Sequence, residues 1–253
     1  MKNKILIVWV STGDYTKRFP KFISTLNNFL PECDKWLAIF SDTELGWFRS
    51  YGKNVYSIKY YHPIDHEPWP FITLKKEFYI LKAIEASYRL SYPQFVCYCN
   101  SNIEFRHEIE CDEILKLDKI SVCHNPAWWH EGCDPNKFTY GKPIDPKFKC
   151  AIEGYYEYLQ AAFYIGPTEL MKELSESQME MMSYDLAHNR IPPFHDESYF
   201  NKWCHDNMNK INILPKEYLM DYDRKDLFEC PDPKIVMTNS DDTQYEYKDK
   251  YFK

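Results

Sequence analysis

Apolar positions along the chain gather in short blocks separated by polar turns. Ile5 to Val10 is a six-residue apolar run rich in β-branched side chains and closed by Ser11-Thr12-Gly13-Asp14, which predicts a buried strand ending in a loop. Similar runs at Trp36 to Phe40, Asn54 to Ile58, Phe95 to Cys99, Ile120 to Cys123 and Ile211 to Leu214 predict further strands. Between them Leu74, Phe78, Leu81, Glu85 and Tyr88 trace a mostly apolar stripe at helical spacing, with Lys75, Lys76, Lys82 and Arg89 off it. That pattern predicts a helix with the stripe turned inward. Gly166-Pro167-Thr168 predicts another helix start, with Thr168 as N-cap of a helix through about Met182. Strands alternating with helices imply an α/β sheet. With no repeat and no Ser/Gly linker, residues 1–253 read as one folded unit, and the polar stretch after Pro231 reads as a loosely held tail.

Composition narrows the chemistry. A chain of 253 residues with 44% hydrophobic side chains buries a core without help from disulfides or metals. Its 7 glycines stand at 13, 46, 52, 132, 141, 154 and 166, and no two have the spacing of a dinucleotide fingerprint or a Walker loop, which excludes a Gly-rich phosphate cradle. The 31 Lys plus Arg against 38 Asp plus Glu leave a formal charge of −7, which argues against a general nucleic-acid binder, since that needs a basic face to displace counterions. Nine cysteines, an odd number without a Cys-x-x-Cys pair, read as reduced thiols. Ile5 to Val10 is too short for a signal core or a membrane span, so a cytoplasmic protein is expected.

Open α/β sheets bind ligands where strands end in loops, and three stretches qualify. Asn100-Ser101-Asn102 follows the fourth predicted strand, where an Asp-x-Asp would clamp a divalent ion on a diphosphate. Two neutral amides offer donors to phosphate or sugar hydroxyls in place of ligands to a hard cation; an ordinary polar turn accounts for the same residues. After Pro192-Pro193, the run Phe194-His195-Asp196-Glu197-Ser198 is either an acidic helix N-terminus that meets the macrodipole or a carboxylate held in a pocket by its neighbours. Trp128-Trp129 is either core or a pair of flat indole faces for a sugar ring. His62 and His66 have the spacing of two ligands on a helix, but Pro63 breaks that helix. Cys204-His205 lacks catalytic spacing.

Taken in order, these pieces resemble glycosyltransferase family 6, the retaining α1,3-galactosyl and N-acetylgalactosaminyl transferases that include the blood-group A and B enzymes, over about Val8 to Tyr222. The most specific segment is His195-Asp196-Glu197-Ser198 with Asn201-Lys202, where Phe194 stands in place of the family tryptophan. Trp128-Trp129 with Asp134-Pro135-Asn136 and Phe138-Thr139-Tyr140 is similar to the family's acceptor-binding stretch. Trp69-Pro70, Thr73-Leu74-Lys75-Lys76 and Pro215 to Asp221 also line up.

The resemblance implies a GT-A fold, a Rossmann-like mixed sheet flanked by helices, with UDP-galactose or UDP-N-acetylgalactosamine as donor and the 3-hydroxyl of a β-galactoside as acceptor. It assigns Val10, Thr12 and Tyr15 to the uridine, with Tyr15 stacked on the base. It places Lys76 near the donor phosphates in place of a family arginine, His195 and Asp196 at the donor, and Asn100 and Asn102 at the Asp-x-Asp positions. Family members with Asn-x-Asn are metal-independent, so no metal is expected, and Lys76 with the tail residues Lys248 and Lys250 would neutralise the leaving UDP. Gln160-Ala161-Ala162 matches the stretch that selects the donor, where the double alanine favours galactose. Glu197 matches the catalytic glutamate, either as nucleophile or as the charge that stabilises an oxocarbenium-like transition state. Trp128, Trp129, Thr139, Phe194 and Met220, the last in place of a family tryptophan, are expected at the acceptor, and the tail 231–253 over the donor site. The resemblance further implies a soluble form, with membrane association at most peripheral. Asn-x-Asn and Phe194 also fit a decayed transferase that binds carbohydrate without turnover.

Overall fold

Each predicted apolar run is a strand in the computed structural model, which describes residues 2–45, 55–88, 92–128, 134, 138, 147–154, 157–221 and 232–238. In chain order the elements are β1 (Lys4–Ser11), α1 (Phe19–Thr25), β2 (Asp34–Ser41), β3 (Val55–Pro63), α2 (Phe71–Leu74), α3 (Lys76–Ser87), β4 (Phe95–Asn100), β5 (Ile103–Phe105), α4 (Cys111–Ile114), β6 (Ile120–His124), β7 (Leu159–Pro167), α5 (Thr168–Ala187), α6 (His195–Asp206), β8 (Ile211–Ile213), β9 (Leu219–Asp221) and β10 (Ile235–Met237), joined by short 3-10 turns. Seven strands make one sheet in the order β3-β2-β1-β4-β7-β6-β8, and three make a second, β5-β10-β9. Strands β1 to β4 are parallel, while β7 runs antiparallel to both of its neighbours, so the sheet is mixed, as expected.

An unbroken apolar strand must be covered on both faces, and β1 is. Ile5, Ile7 and Trp9 pack with Phe19 and Phe22 of α1, whereas Leu6, Val8 and Val10 pack with Ile80, Ala83 and Ile84 of α3. Each of the Val, Leu, Ile and Phe side chains among them contributes about 1.5–3 kcal/mol of burial free energy. Where β6 meets β7 the backbones come so close that a Cβ on Gly166 would lie 2.7 Å from Ile120 Cγ1 and 3.1 Å from its Cα, so glycine is required there.

Three expectations need correction. Most of the apolar stripe faces outward: Phe78, Glu85 and Tyr88 are exposed and Leu81 is half-buried, while Leu74 alone of the stripe is in the core, and α3 buries Tyr79, Ile80, Ala83 and Ile84 instead. The Lys82 ammonium lies over the Phe78 ring at 4.9 Å and shields it, while Lys76 and Glu77 go inside because each has polar partners. Thr168 does begin α5, but its hydroxyl donates to Pro93 O at 2.6 Å and caps nothing, and the helix continues to Ala187. The stretch after Pro231 is not loose throughout, because Ile235–Met237 is a buried strand between β5 and β9. Arg18 Nη1 donates to Thr238 O at 2.6 Å and Thr238 N to Asn102 O at 2.9 Å. Among the described residues seven cysteines are free thiols, and no helix is long and apolar enough to cross a membrane.

Candidate active site

Parallel strands leave a crevice outside their carboxyl ends where neighbouring connections diverge. Here β1 lies between β2 and β4, and its end pairs with the end of β4, Val10 opposite Asn100. A cavity of about 710 Å³ opens at that point, a size suited to a small-molecule ligand. It is lined by the loop from Val10 to Tyr15, by Asn100 to Asn102, by Gln160 to Ala162 of β7 and by Phe194 to Glu197 at the start of α6, with Glu67, Trp69, Asn125, Trp128 and Asp221 among the other wall residues.

Polar contacts fix the loop after β1. Thr12 Oγ1 donates to Glu67 O at 3.0 Å, and Gly13 N–H donates to both oxygens of Asp42 at 2.9 and 3.1 Å. Gly13 sits at φ +61°, and a Cβ there would meet His66 Cε1 at 3.0 Å, so the turn suits glycine twice over. His66 Nδ1 lies 2.7 Å from Asp42 Oδ2. Burial works to raise the Asp42 carboxyl, but the hydrogen bonds from Gly13, His66 and Thr43 hold it below its ordinary value. The ring of Tyr15 lies 4.8 Å from the Arg18 guanidinium. Across the cavity, Tyr98 Oη donates to Asn100 Oδ1 at 2.8 Å, which leaves the amide NH2 of Asn100 as a donor.

The opposite wall is set by an unusual helix start. After Pro192-Pro193, Phe194 and His195 take left-handed backbone angles, φ +59° and +42°, each costing on the order of 1–3 kcal/mol for a residue other than glycine. The Ser198 hydroxyl donates to Pro193 O, and Asn201 locks the turn against β7 by bonding Leu159 N, Leu159 O and Glu197 O at 2.8–2.9 Å. Glu197 is thereby held inward at 8% exposure. Its Oε1 accepts from Asn125 Nδ2 at 3.0 Å and its Oε2 from Ala161 N at 3.4 Å. Burial pushes its pKa up to about 7, with the Asp196 charge adding; Tyr158, the Ala161 N–H and Lys76 pull the other way. A carboxyl poised near neutrality in a cleft is equipped for chemistry.

The cavity therefore gathers Val10, Thr12, Tyr15, Asn100, Asn102, Trp128, Gln160, Ala161, Ala162, Phe194, His195, Asp196 and Glu197. Lys76 is not on its surface. At 1% exposure its ammonium is closed off by Asp196 Oδ2 at 2.5 Å, Ala161 O at 3.0 Å and the rings of Tyr98 and Tyr164 at 5.1 and 5.5 Å, so it touches Asp196, which does line the cavity, and not the cavity itself. Met220, at 3% exposure, is buried in β9, and its neighbour Asp221 lines the cavity in its place. Trp129, Thr139, Lys248 and Lys250 lie outside the described residues. Asp42, Asn125 and Tyr158 emerge only from the contacts. No motif marks them, and His66 drew attention only through its spacing to His62. Among the described residues no three His, Cys, Asp or Glu side chains gather as metal ligands.

A mixed sheet of this order, with a cavity at the carboxyl ends of β1 and β4, is a GT-A-like glycosyltransferase fold. The chain is similar to the O-antigen biosynthesis glycosyltransferase WbnI of Escherichia coli, 29% identical over 246 residues that span 94% of this chain and 95% of that protein. No family model matches the chain. Fold and similarity together support a glycosyltransferase, whose partners are a nucleotide sugar and an acceptor.

Proposed function

We propose that the chain is a retaining, metal-independent glycosyltransferase of the family 6 type, which moves galactose from UDP-galactose to the 3-hydroxyl of a β-galactoside in α1,3 linkage. By analogy with the E. coli relative, the acceptor belongs to a growing O-antigen-type polysaccharide. The observation that carries the reading is that Glu197, the Val10–Tyr15 loop, Asn100 and Asn102 line one and the same cavity. Uridine lies against Tyr15, the diphosphate against Asn100 and Asn102, and the sugar between Gln160 to Ala162 and Asp196-Glu197. Ala161 and Ala162, small but larger than glycine, leave room for a galactose 2-hydroxyl and crowd an N-acetyl group. As the anomeric carbon parts from the UDP oxygen it gains positive charge, which the ionised Glu197 stabilises. The acceptor oxygen then bonds to that carbon, and its proton leaves with UDP.

Among the described residues the cavity is lined by five carboxylates, Asp14, Glu67, Asp196, Glu197 and Asp221, and by no lysine or arginine. A bound diphosphate needs cations. Thr238, bonded to Asn102, is followed in sequence by Lys248 and Lys250, which the family resemblance puts at the donor, and these are the source we assign. The test is UDP release from UDP-galactose and from UDP-N-acetylgalactosamine, with lactose as acceptor, in the presence and absence of EDTA. The reading expects turnover that favours galactose and ignores EDTA. Loss of turnover in EDTA rejects metal independence, preference for the N-acetyl donor reverses the donor assignment, and sugar binding without UDP release rejects the enzyme.

A further inference from the structure

The buried carboxylate next in sequence to Lys76 has no part in the reaction described above. Glu77 is fully buried, yet three donors converge on its two oxygens: Tyr164 Oη at 2.8 Å, Ser175 Oγ at 2.7 Å and Gln178 Nε2 at 3.1 Å. They come from β7 and α5, whereas Glu77 itself belongs to α3. All three are placed as donors to it, an arrangement that suits an ionised carboxylate. Burial raises its pKa, and the Lys76 charge with the Ser175 and Tyr164 hydrogen bonds works against that rise. The other charged and titratable groups around it are Asp196, Tyr98 and Cys204.

A buried carboxylate costs several kcal/mol in desolvation, so a fold that needed only packing here would be served by an apolar side chain. Its neighbours suggest what it does. Tyr164, which Glu77 anchors by its hydroxyl, is one of the two rings that flank the Lys76 ammonium. Lys76 in turn holds Asp196 and the carbonyl of Ala161, and the Ala161 N–H points at Glu197. One chain of contacts thus runs from the core to both carboxylates at the sugar end of the cavity.

We infer that Glu77 is a positioning residue for sugar transfer: by fixing Tyr164 and by placing a second negative charge beside Lys76, it holds the Lys76 ammonium where it orients Asp196 and the Ala161 peptide. This rests on the cavity being the donor site. Glu77→Gln keeps the shape, and the hydroxyls of Tyr164 and Ser175 can turn to accept from its amide, but the charge is lost. Tyr164→Phe keeps the ring over Lys76 and loses the anchor.

The experiment measures steady-state UDP release from UDP-galactose, with and without acceptor, UDP binding by calorimetry, and thermal melting, on the full chain and the two variants. Expected for Glu77→Gln is a kcat about tenfold lower, with donor KM and UDP affinity within about twofold and the melting midpoint held. Tyr164→Phe is expected to lose about threefold in kcat with the same unchanged KM. Glu77→Asp, which keeps the charge, should recover part of the loss. A Glu77→Gln enzyme with unchanged kcat overturns the proposal, and so does a loss that only tracks the folded fraction. Should that variant not fold, an unchanged kcat in Tyr164→Phe overturns it instead. A wild-type chain that binds no UDP removes the donor-site reading and this proposal with it, whereas a wild-type chain that binds and turns over leaves the variants to decide.

Discussion

Glu197→Gln separates the cost of the candidate catalytic carboxyl from its use. In the folded chain burial lifts its pKa from 4.5 to about 7. Between those values the native state holds a proton that the unfolded chain has released, so stability falls as pH rises through the window. Below about 4.5 both states are protonated, and above about 7 both are ionised. At about 1.4 kcal/mol per pH unit, keeping Glu197 ionised at pH 8 costs the fold about 3 kcal/mol. Glutamine removes that cost but offers one oxygen where the carboxylate serves three donors, Asn125 Nδ2, the Ala161 N–H and the Tyr158 hydroxyl; the hydroxyl can turn to accept from the new amide, so a hydrogen bond of about 1 kcal/mol is forfeited. The net gain at pH 8 is about 2 kcal/mol, or roughly 4–8 °C in melting midpoint for a chain of this size. At pH 5, where the native glutamate is already protonated, the variant should melt slightly lower than the wild type. Thermal unfolding followed by circular dichroism at both pH values measures this, alongside transfer assays in which activity drops by orders of magnitude while UDP affinity is kept. A variant that melts lower at pH 8, or that shifts equally at both pH values, refutes the reasoning.

Two further substitutions probe the cavity and its frame. Replacing both Asn100 and Asn102 by Asp restores an Asp-x-Asp at the end of β4, so turnover should become dependent on manganese or magnesium and sensitive to EDTA; activity that ignores the metal would contradict the role given to the amides. Gly166→Ala forces a methyl to within 2.7 Å of Ile120 and should destabilise the fold by about 1–3 kcal/mol in urea unfolding, and an unmoved midpoint would mean that β6 and β7 are less tightly apposed.

How far the sequence could be read depended on what each element does. β1 was legible because both of its faces are spent on the core, which leaves six apolar residues in a row. β7 escaped notice although it is as deeply buried, because Gln160, Ala161 and Ala162 interrupt its hydrophobic signal, and these are the strand residues that line the cavity. The outward stripe of α3 misled because helical periodicity counts apolar residues and cannot see that Lys76 and Glu77 find partners 85 to 120 residues away. The cavity's motif residues were named through family resemblance, whereas Asp42, Asn125 and Tyr158 hold groups distant in sequence, which leaves no spacing to detect.

The Lys76–Asp196 pair spans 120 residues of chain. During synthesis at about 5–20 residues per second, roughly 6–24 s separate the emergence of its two members. Through that interval Lys76 lacks the carboxylate that closes off its ammonium in the folded chain, and an ammonium without that partner is costly to bury. The start of α3 is therefore costly to bury while β1, β2 and β4 are already available to pair. Docking of α6 supplies Asp196, and the same step brings the wall from Phe194 to Glu197 to the cavity.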